Sequence, residues 1–360
     1  MKNLLLDTLR VQTVSYKQGK MLTYIKDTVR NIDGCRIEQD GEKNIYVTKG
    51  EADLYPCIVA HTDTVHDRIP DANFKIYEDK NILFSIDTRS YKRTGIGGDD
   101  KVGVYIALRM LMEQDVCKAA FFVDEEVGCV GSSKADLSFF KDVNMAMQAD
   151  RKNVREITSS IGGLEMYGKR FQEDIADIII SDNFIEVDGG LTDVKQLASA
   201  LDKIPMFNAA CGYYKPHTCD EYVNMVDVED TFQFMSAVLT RTYGVDYGSD
   251  WKRESQVETW NQWDYGSFHT SNKYWKKPKS KYSHYSQKKI VAKPMVQKEP
   301  YWIWDAEESN WKVSKVSFIS DPTCHDCKSI DMTLSSTSND AWCNQCGLYH
   351  YDGSGSVTPF

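Results

Sequence analysis

Between residue 1 and about residue 245 the apolar positions follow two alternating rhythms. Apolar runs that end in a polar or charged group predict strands: PCIVAHTDTV (56–65), KAAFFVDEE (118–126), NMAMQAD (144–150) and FIEVDG (184–189). Segments with apolar residues three and four apart predict helices over 100–114, 169–180, 193–201 and 228–244. Strands and helices in alternation predict an α/β domain built on a mostly parallel mixed sheet flanked by helices. One segment, KIYEDKNILFSID (75–87), alternates with a period of two and predicts an inserted hairpin turning near Asp79 and Lys80.

Past Gly248 the rhythm stops. Trp, Tyr, Lys and Ser dominate and few aliphatic residues remain, so the pattern predicts a domain over 1–247, a basic aromatic linker over 248–300 and a small module over 301–360. Between Tyr265 and Lys298 there are nine lysines and no Asp or Glu. A solvated tether accounts for that stretch, and its interleaved aromatics leave contact with nucleic acid or an acidic partner as the alternative.

Composition narrows the classes. The chain has 360 residues, of which 41% are hydrophobic, enough for at least one large core. A formal net charge of −10 argues against nucleic-acid binding by the protein as a whole. No stretch approaches a membrane span, and Asp7 and Arg10 interrupt the N-terminal Leu run before an apolar leader forms. Six cysteines scattered irregularly through the first 220 residues fit reduced thiols, so a cytoplasmic location is expected.

Candidate chemistry gathers at strand ends, where α/β sheets place functional groups. His61 and Asp63 follow IVA, Asp99 lies in GIGGDDKVG, Glu125 and Glu126 follow AFFVD, Asp150 ends NMAMQAD, and His217 lies in YYKPHTCDEY. Two imidazoles and five carboxylates suit two divalent ions of the zinc, cobalt or manganese type. Asp63, two residues after His61, shares its strand face and can accept the ring's second N–H. Singly, each of these residues is more readily a cap or a satisfied surface group than a metal ligand.

Their joint order, HTDTV, GGDDKVG, DEEVG, an Asp-terminated strand and a later His, resembles the co-catalytic zinc exopeptidases and related amidohydrolases. That group includes peptidase T, carboxypeptidase G, acetylornithine deacetylase and single-domain zinc aminopeptidases. The resemblance covers residues 1 to about 245 and implies the phosphorylase/hydrolase-like peptidase fold. It implies His61 and Asp150 as ligands of one metal, Glu126 and His217 as ligands of the other, and Asp99 as the bridge. It also implies a cis bond between Asp99 and Asp100, Asp100 helping to fix the loop, and Glu125 as the general base for the attacking water. His66 lacks the HxD relation and is read as structural; Lys101 is read as loop support, and Cys129 and Cys219 as packing residues. The segment GGLTDVKQL (189–197) resembles a Gly-Thr-Asp loop of single-domain relatives, and Tyr213 or Tyr214 is a weaker candidate for the pocket lining.

Two-domain members of that group insert a lid and dimerisation domain between the strand-end Asp and the last His. Here 66 residues separate Asp150 from His217, and strand and helix patterns fill them. A lidless form is expected, without a lid-mediated dimer.

Near the C-terminus, Cys324 and Cys327 form one CxxC and Cys343 and Cys346 another, fifteen residues apart, the spacing of a four-cysteine zinc ribbon holding one structural zinc. The sequence thus predicts a two-metal hydrolase cleaving an amide bond of a short peptide, of aminopeptidase or dipeptidase type. A deacylase of N-acyl amino acids, or a protein recruiting a partner or nucleic acid through the linker and ribbon, are its alternatives.

Overall fold

The structure, a computed structural model, describes residues 2–249 and 251–253 and, farther along the chain, six strands by their backbone. The chain divides into two compact units, Met1–Gln256 and Val257–Phe360. In chain order the first unit begins with α1 (Lys2–Arg10), α2 (Gly19–Arg30), β1 (Cys35–Gln39), β2 (Ile45–Lys49) and β3 (Tyr55–His61). It continues through β4 (Phe74–Asp79), β5 (Ile82–Asp87), β6 (Lys92–Thr94), α3 (Gly98–Glu113), β7 (Cys117–Phe122), α4 (Val130–Ser133) and β8 (Val143–Arg151). Then follow β9 (Val154–Ile161), β10 (Leu164–Glu165), α5 (Lys169–Ser181), β11 (Ile185–Gly189), α6 (Asp193–Ala200) and β12 (Met206–Cys211). The last are β13 (Tyr213–Tyr214), β14 (Tyr222–Asn224) and α7 (Met225–Thr242).

The main sheet has the order β1-β2-β7-β3-β8-β12-β9-β10, with β11 joined to β9. Its centre, β7-β3-β8-β12, is parallel. β1 and β2 pair antiparallel on one side, and β12, β9 and β10 on the other. Every residue of β3 is buried, as a strand covered on both faces requires. α3 is buried along most of its length and packs on β3, β7 and β8, while α1, α2 and α7 pack against α3. The other helical group, α4 and α6, includes contacts from α6 to β3, β8 and β12. α2 shows the expected stripe, burying Met21, Leu22, Ile25 and Val29.

The hairpin expected at 75–87 is β4–β5, and it is more than an insertion. With β6, β13 and β14 it forms a second sheet of order β13-β14-β5-β4, β6 lying beside β5. The interval between Asp150 and His217 is filled by β9 to β12 with α5 and α6, which complete the main sheet. Among the described residues no helix is long and apolar enough to cross a membrane.

Packing continues beyond the boundary expected at 247. Tyr247 is buried edge-on against Phe171, and its hydroxyl donates to Asp174 Oδ2 at 2.9 Å. Arg253 is buried and donates to the carbonyls of Glu165, Met166, Ala198, Leu201 and Ile204 at 2.6–3.0 Å. Arg253→Ala removes a donor from each of these carbonyls, of which Met166 keeps the Met206 amide, so about 3 kcal/mol or more of stability should be lost. Equilibrium denaturation of the full chain, with an unchanged midpoint as the contrary result, checks this.

In the second unit β15 (Trp302–Asp305) pairs antiparallel with β16 (Asn310–Val313). β17 (Met332–Leu334), β18 (Ala341–Cys343), β19 (Tyr349–Tyr351) and β20 (Gly355–Ser356) form a four-stranded antiparallel sheet. Cys343 is described by its backbone alone, and Cys324, Cys327 and Cys346 lie outside the described residues, as does nearly all of the linker.

Candidate metal centre

The parallel strands bring three of the candidate loops to one end of the sheet. β3 ends on His61, β7 ends just before Glu125 and Glu126, and β8 carries Asp150 next to its last residue. Asp99 enters from the start of α3, where the Asp99–Asp100 peptide is cis and both residues have non-helical dihedrals. Gly98 allows this close approach, because a Cβ there would stand 2.6 Å from Tyr213 Cβ. His217 comes from the second sheet, on the loop between β13 and β14, with φ +62°.

Asp99 lies at the middle. Its Oδ1 is 3.2 Å from His61 Nε2, which is itself 3.4 Å from Asp150 Oδ1. Its Oδ2 is 3.2 Å from His217 Nε2, which is 3.1 Å from Glu126 Oε2. Each oxygen of one carboxylate therefore faces a different His–carboxylate pair. Ligands bound tetrahedrally at about 2.1 Å stand roughly 3.4 Å from one another, so these spacings match atoms arranged around ions. Glu126 Oε1 is buried with no hydrogen-bond partner, a donor set left incomplete without a cation. The residues present thus fit a pair of divalent ions.

Asp63 does more than face His61. Its Oδ1 lies 3.4 Å from His61 Nδ1, too long for a well-formed hydrogen bond, and Nδ1 has no other partner. The same carboxylate accepts from the amides of Glu125 (3.0 Å) and Glu126 (3.3 Å) and from Ser15 Oγ (2.7 Å). Burial works against its charge, but the His61 ring, Ser15 and the Glu125 amide outweigh it and hold Asp63 below the ordinary carboxylate range. Glu125 turns away from the bridge: Oε2 is 3.9 Å from His61 Nε2, and Oε1 accepts from the Cys129 thiol at 3.3 Å. Asp100 also lies close to His61 and Asp150. Its oxygens, however, accept from the amides of His61 and Gly103, both at 3.0 Å, which fixes the loop.

A supporting network surrounds Asp150; its Thr192 lies in the GGLTDVKQL segment marked in the sequence, whereas Gln148 and Asn208 are not among the sequence candidates. Asp150 Oδ2 accepts from Gln148 Nε2 (3.1 Å), and the single Thr192 hydroxyl proton is shared between Asp150 Oδ2 (3.0 Å) and Gln148 Oε1 (2.9 Å). Asn208 brackets the Asp150 backbone, its Oδ1 accepting from the amide and its Nδ2 donating to the carbonyl, both at 2.8 Å. Gln148 and Asn208 are polar residues inside largely apolar strands, and Gln148 stands two before Asp150 on one strand face, signals that could have found them. Asp193 is buried with Oδ1 unpaired, and Tyr213 OH lies 3.4 Å from Asp150 Oδ1. Tyr214 instead donates to Asp227. Lys101 Nζ donates to the Leu9 carbonyl and His66 pairs with Glu221, both outside the cluster. Cys219 is exposed.

Crowded carboxylates shift the titrations. Burial, opposed by His61 and assisted by Asp99, pushes Asp150 up to about 7. Burial with Asp150, Asp193 and Glu126 nearby pushes Glu125 up to about 9. Hydrogen bonds to Asp99 and Glu126 push His217 up to about 10, and Asp150 raises His61 against the effect of burial. All these folded-state values lie above the unfolded ones, about 4 for the acids and 6.5 for His. Their stabilisation is complete below the unfolded values and is lost as pH rises through about 7, 9 and 10. The metal-free protein should therefore lose thermal stability steadily from neutral pH to pH 10. Zinc should bind more tightly at pH 8 than at pH 6, because entry expels imidazole protons. Melting curves with chelator and titrations at both pH values test this, and a pH-independent affinity would contradict it.

No family model matches the sequence, and no curated protein matches it. Solved structures do share the fold. The aminopeptidase PepT from Bacillus cereus superposes with a TM-score of 0.55 at 15% identity, over 67% of this chain and 97% of its own. A tripeptidase from Staphylococcus aureus gives 0.52 at 13% identity, over 66% and 98%. A TET aminopeptidase from a marine-sediment Thaumarchaeota archaeon gives 0.54 at 8% identity, over 69% and 98%. The first unit thus has the α/β fold, a parallel-centred sheet flanked by helices, that these peptidases have.

Proposed function

We propose that the first unit is a dinuclear metal-dependent hydrolase that cleaves an amide bond of a short peptide, in the manner of an aminopeptidase or dipeptidase. The observation that carries this reading is Asp99, whose two oxygens face His61 with Asp150 on one side and His217 with Glu126 on the other. Solved aminopeptidases with the same fold support it.

In this reading His61 and Asp150 would hold one ion and Glu126 and His217 the other, with Asp99 offering one oxygen to each. When bound, the ions, of zinc, cobalt or manganese type, supply Lewis acidity that lowers the pKa of water and polarises the scissile carbonyl. Glu125 is the base: it takes a proton from the water whose oxygen attacks the carbonyl carbon, and delivers it to the amine nitrogen as the C–N bond breaks. Asp63 orients His61 and, through the two glutamate amides, keeps Glu125 and Glu126 in place. In the second unit we assign Cys324, Cys327, Cys343 and Cys346 to one structural zinc.

One panel tests the reading: the full chain with zinc, cobalt or manganese, offered aminoacyl anilides, dipeptides and N-acetyl amino acids, with metal content measured alongside. Hydrolysis of anilides or dipeptides and about three metals per chain are expected, one of them lost in Cys343→Ser. Cleavage of N-acetyl amino acids alone would make the protein a deacylase. Full metal loading with no hydrolysis of any class would sink the proposal.

A further inference from the structure

The two halves of the cluster are supported unequally. His61 and Asp150 sit on main-sheet strands, Asp150 held by Gln148, Thr192 and Asn208. His217 stands on a loop, its side chain about half exposed (52%). What ties that loop to the rest of the site is one side chain that no motif had singled out. Glu221, four residues after His217, is fully buried. Its Oε2 accepts from His66 Nε2 at 2.6 Å and from the Gly97 amide at 2.7 Å, and its Oε1 accepts from the Asp99 amide at 3.1 Å. Arg93 Nη2 secures the same stretch by donating to the carbonyls of Asp220 and Glu221, each at 3.2 Å.

We propose that Glu221 is the positioning residue for the Glu126/His217 half of the centre. One carboxylate joins three segments: the loop that carries His217, the turn that carries the bridging Asp99, and, through His66, the loop that follows His61 and Asp63. A hydrogen bond to the Asp99 backbone sets where that carboxylate stands, and the loop it anchors sets where His217 meets it. Without Glu221 the spacing between Asp99 Oδ2 and His217 Nε2 has no buried anchor, while the hydrogen bonds that hold Asp150 remain. The inference rests on the two-metal reading and assigns within it which ion depends on which support.

Glu221→Gln keeps the size of the side chain but, whichever way the amide turns, sets an NH₂ group against an N–H donor, the Asp99 amide where its oxygen serves His66 and Gly97. In a Cys343→Ser background, which takes the ribbon metal out of the count, zinc titration of this variant should show the two ions weakened unequally, the one beside Asp150 the less. The other should be weakened about 10–100-fold, the usual effect of losing a supporting contact to a ligand. Excess zinc should then restore turnover. Exposed Cys219 on the same loop gives a second readout: its labelling rate in the metal-free protein, followed by peptide mass spectrometry, should rise. Two ions at wild-type affinity, or equal weakening of both, would overturn the proposal. If Glu221→Gln fails to fold, His66→Gln decides, since it removes one partner of Glu221 and should weaken the second ion more than the first; unchanged binding there rejects the idea. A parent protein that binds fewer than two ions in this background refutes the two-metal reading itself, a different outcome.

Discussion

Replacing Glu125 by Gln is expected to lower kcat about 10²–10⁴-fold while both ions stay bound, the range typical of losing a positioned general base. The geometry separates this residue from its neighbour. Glu126 faces His217 Nε2 at 3.1 Å, whereas Glu125 comes no nearer than 3.9 Å to His61 Nε2 and meets a thiol on its other oxygen. The amide of Gln is nearly isosteric, and the backbone N–H that Asp63 holds at 3.0 Å is untouched, so the loop should keep its shape. What disappears is a place to rest a proton. Burial and surrounding carboxylates make the metal-free Glu125 an unusually weak acid, with its value pushed up to about 9. Bound cations oppose that rise and bring the group toward neutrality, where a base can both accept a proton and release it. Steady-state kinetics with metal analysis of the same sample decides. Full activity would remove Glu125 from the mechanism, and loss of metal in step with activity would make it a ligand.

His61, Glu126 and Asp150 stand out in the sequence because each ends or follows a buried apolar run, and Asp99 because it sits in a glycine-marked turn; the order of these candidates along the chain is distinctive. β3 is apolar until His61 and β8 mostly apolar before Asp150, so their ends stand out. β9 was not read, since VREITSSI is half polar and only partly buried. β12, MFNAAC, is short and rich in small residues that favour no one period. The scaffold of His217 escaped for a related reason: β13 and β14 span two and three residues, too few for any pattern. The hairpin at 75–87 therefore looked like an insertion, although β14 pairs with β5 and makes it part of the sheet behind the site. Supporting groups were hardest of all. Asn208 and Glu221 act on residues 58 and 122 positions away, distances at which local sequence carries no signal.

The same geometry makes Asp99→Asn the sharpest test of the bridge. Each oxygen now serves one half of the cluster, at 3.2 Å from His61 and at 3.2 Å from His217. A carboxamide keeps one acceptor and turns an NH₂ toward the other half, so it can serve one ion and repels the second. The variant should bind at most one ion tightly, with the second weakened beyond the 10–100-fold that losing a mere supporting contact costs, and turnover should fall with it. A further effect needs no metal. Burial opposes ionisation of Asp99, but His217 and His61 overcome it and hold the carboxyl well below the usual range. The stabilisation from such a lowered group is present above its unfolded value near 3.9 and disappears only as pH falls through the folded one. With chelator at neutral pH, Asp99→Asn should therefore melt below the parent, because two protonated imidazoles lose the anion between them. Two tightly bound ions in the variant would mean that some other carboxylate bridges. Unchanged metal-free stability would mean that the imidazoles are neutral without metal, and the tighter binding expected at higher pH would fall with that result.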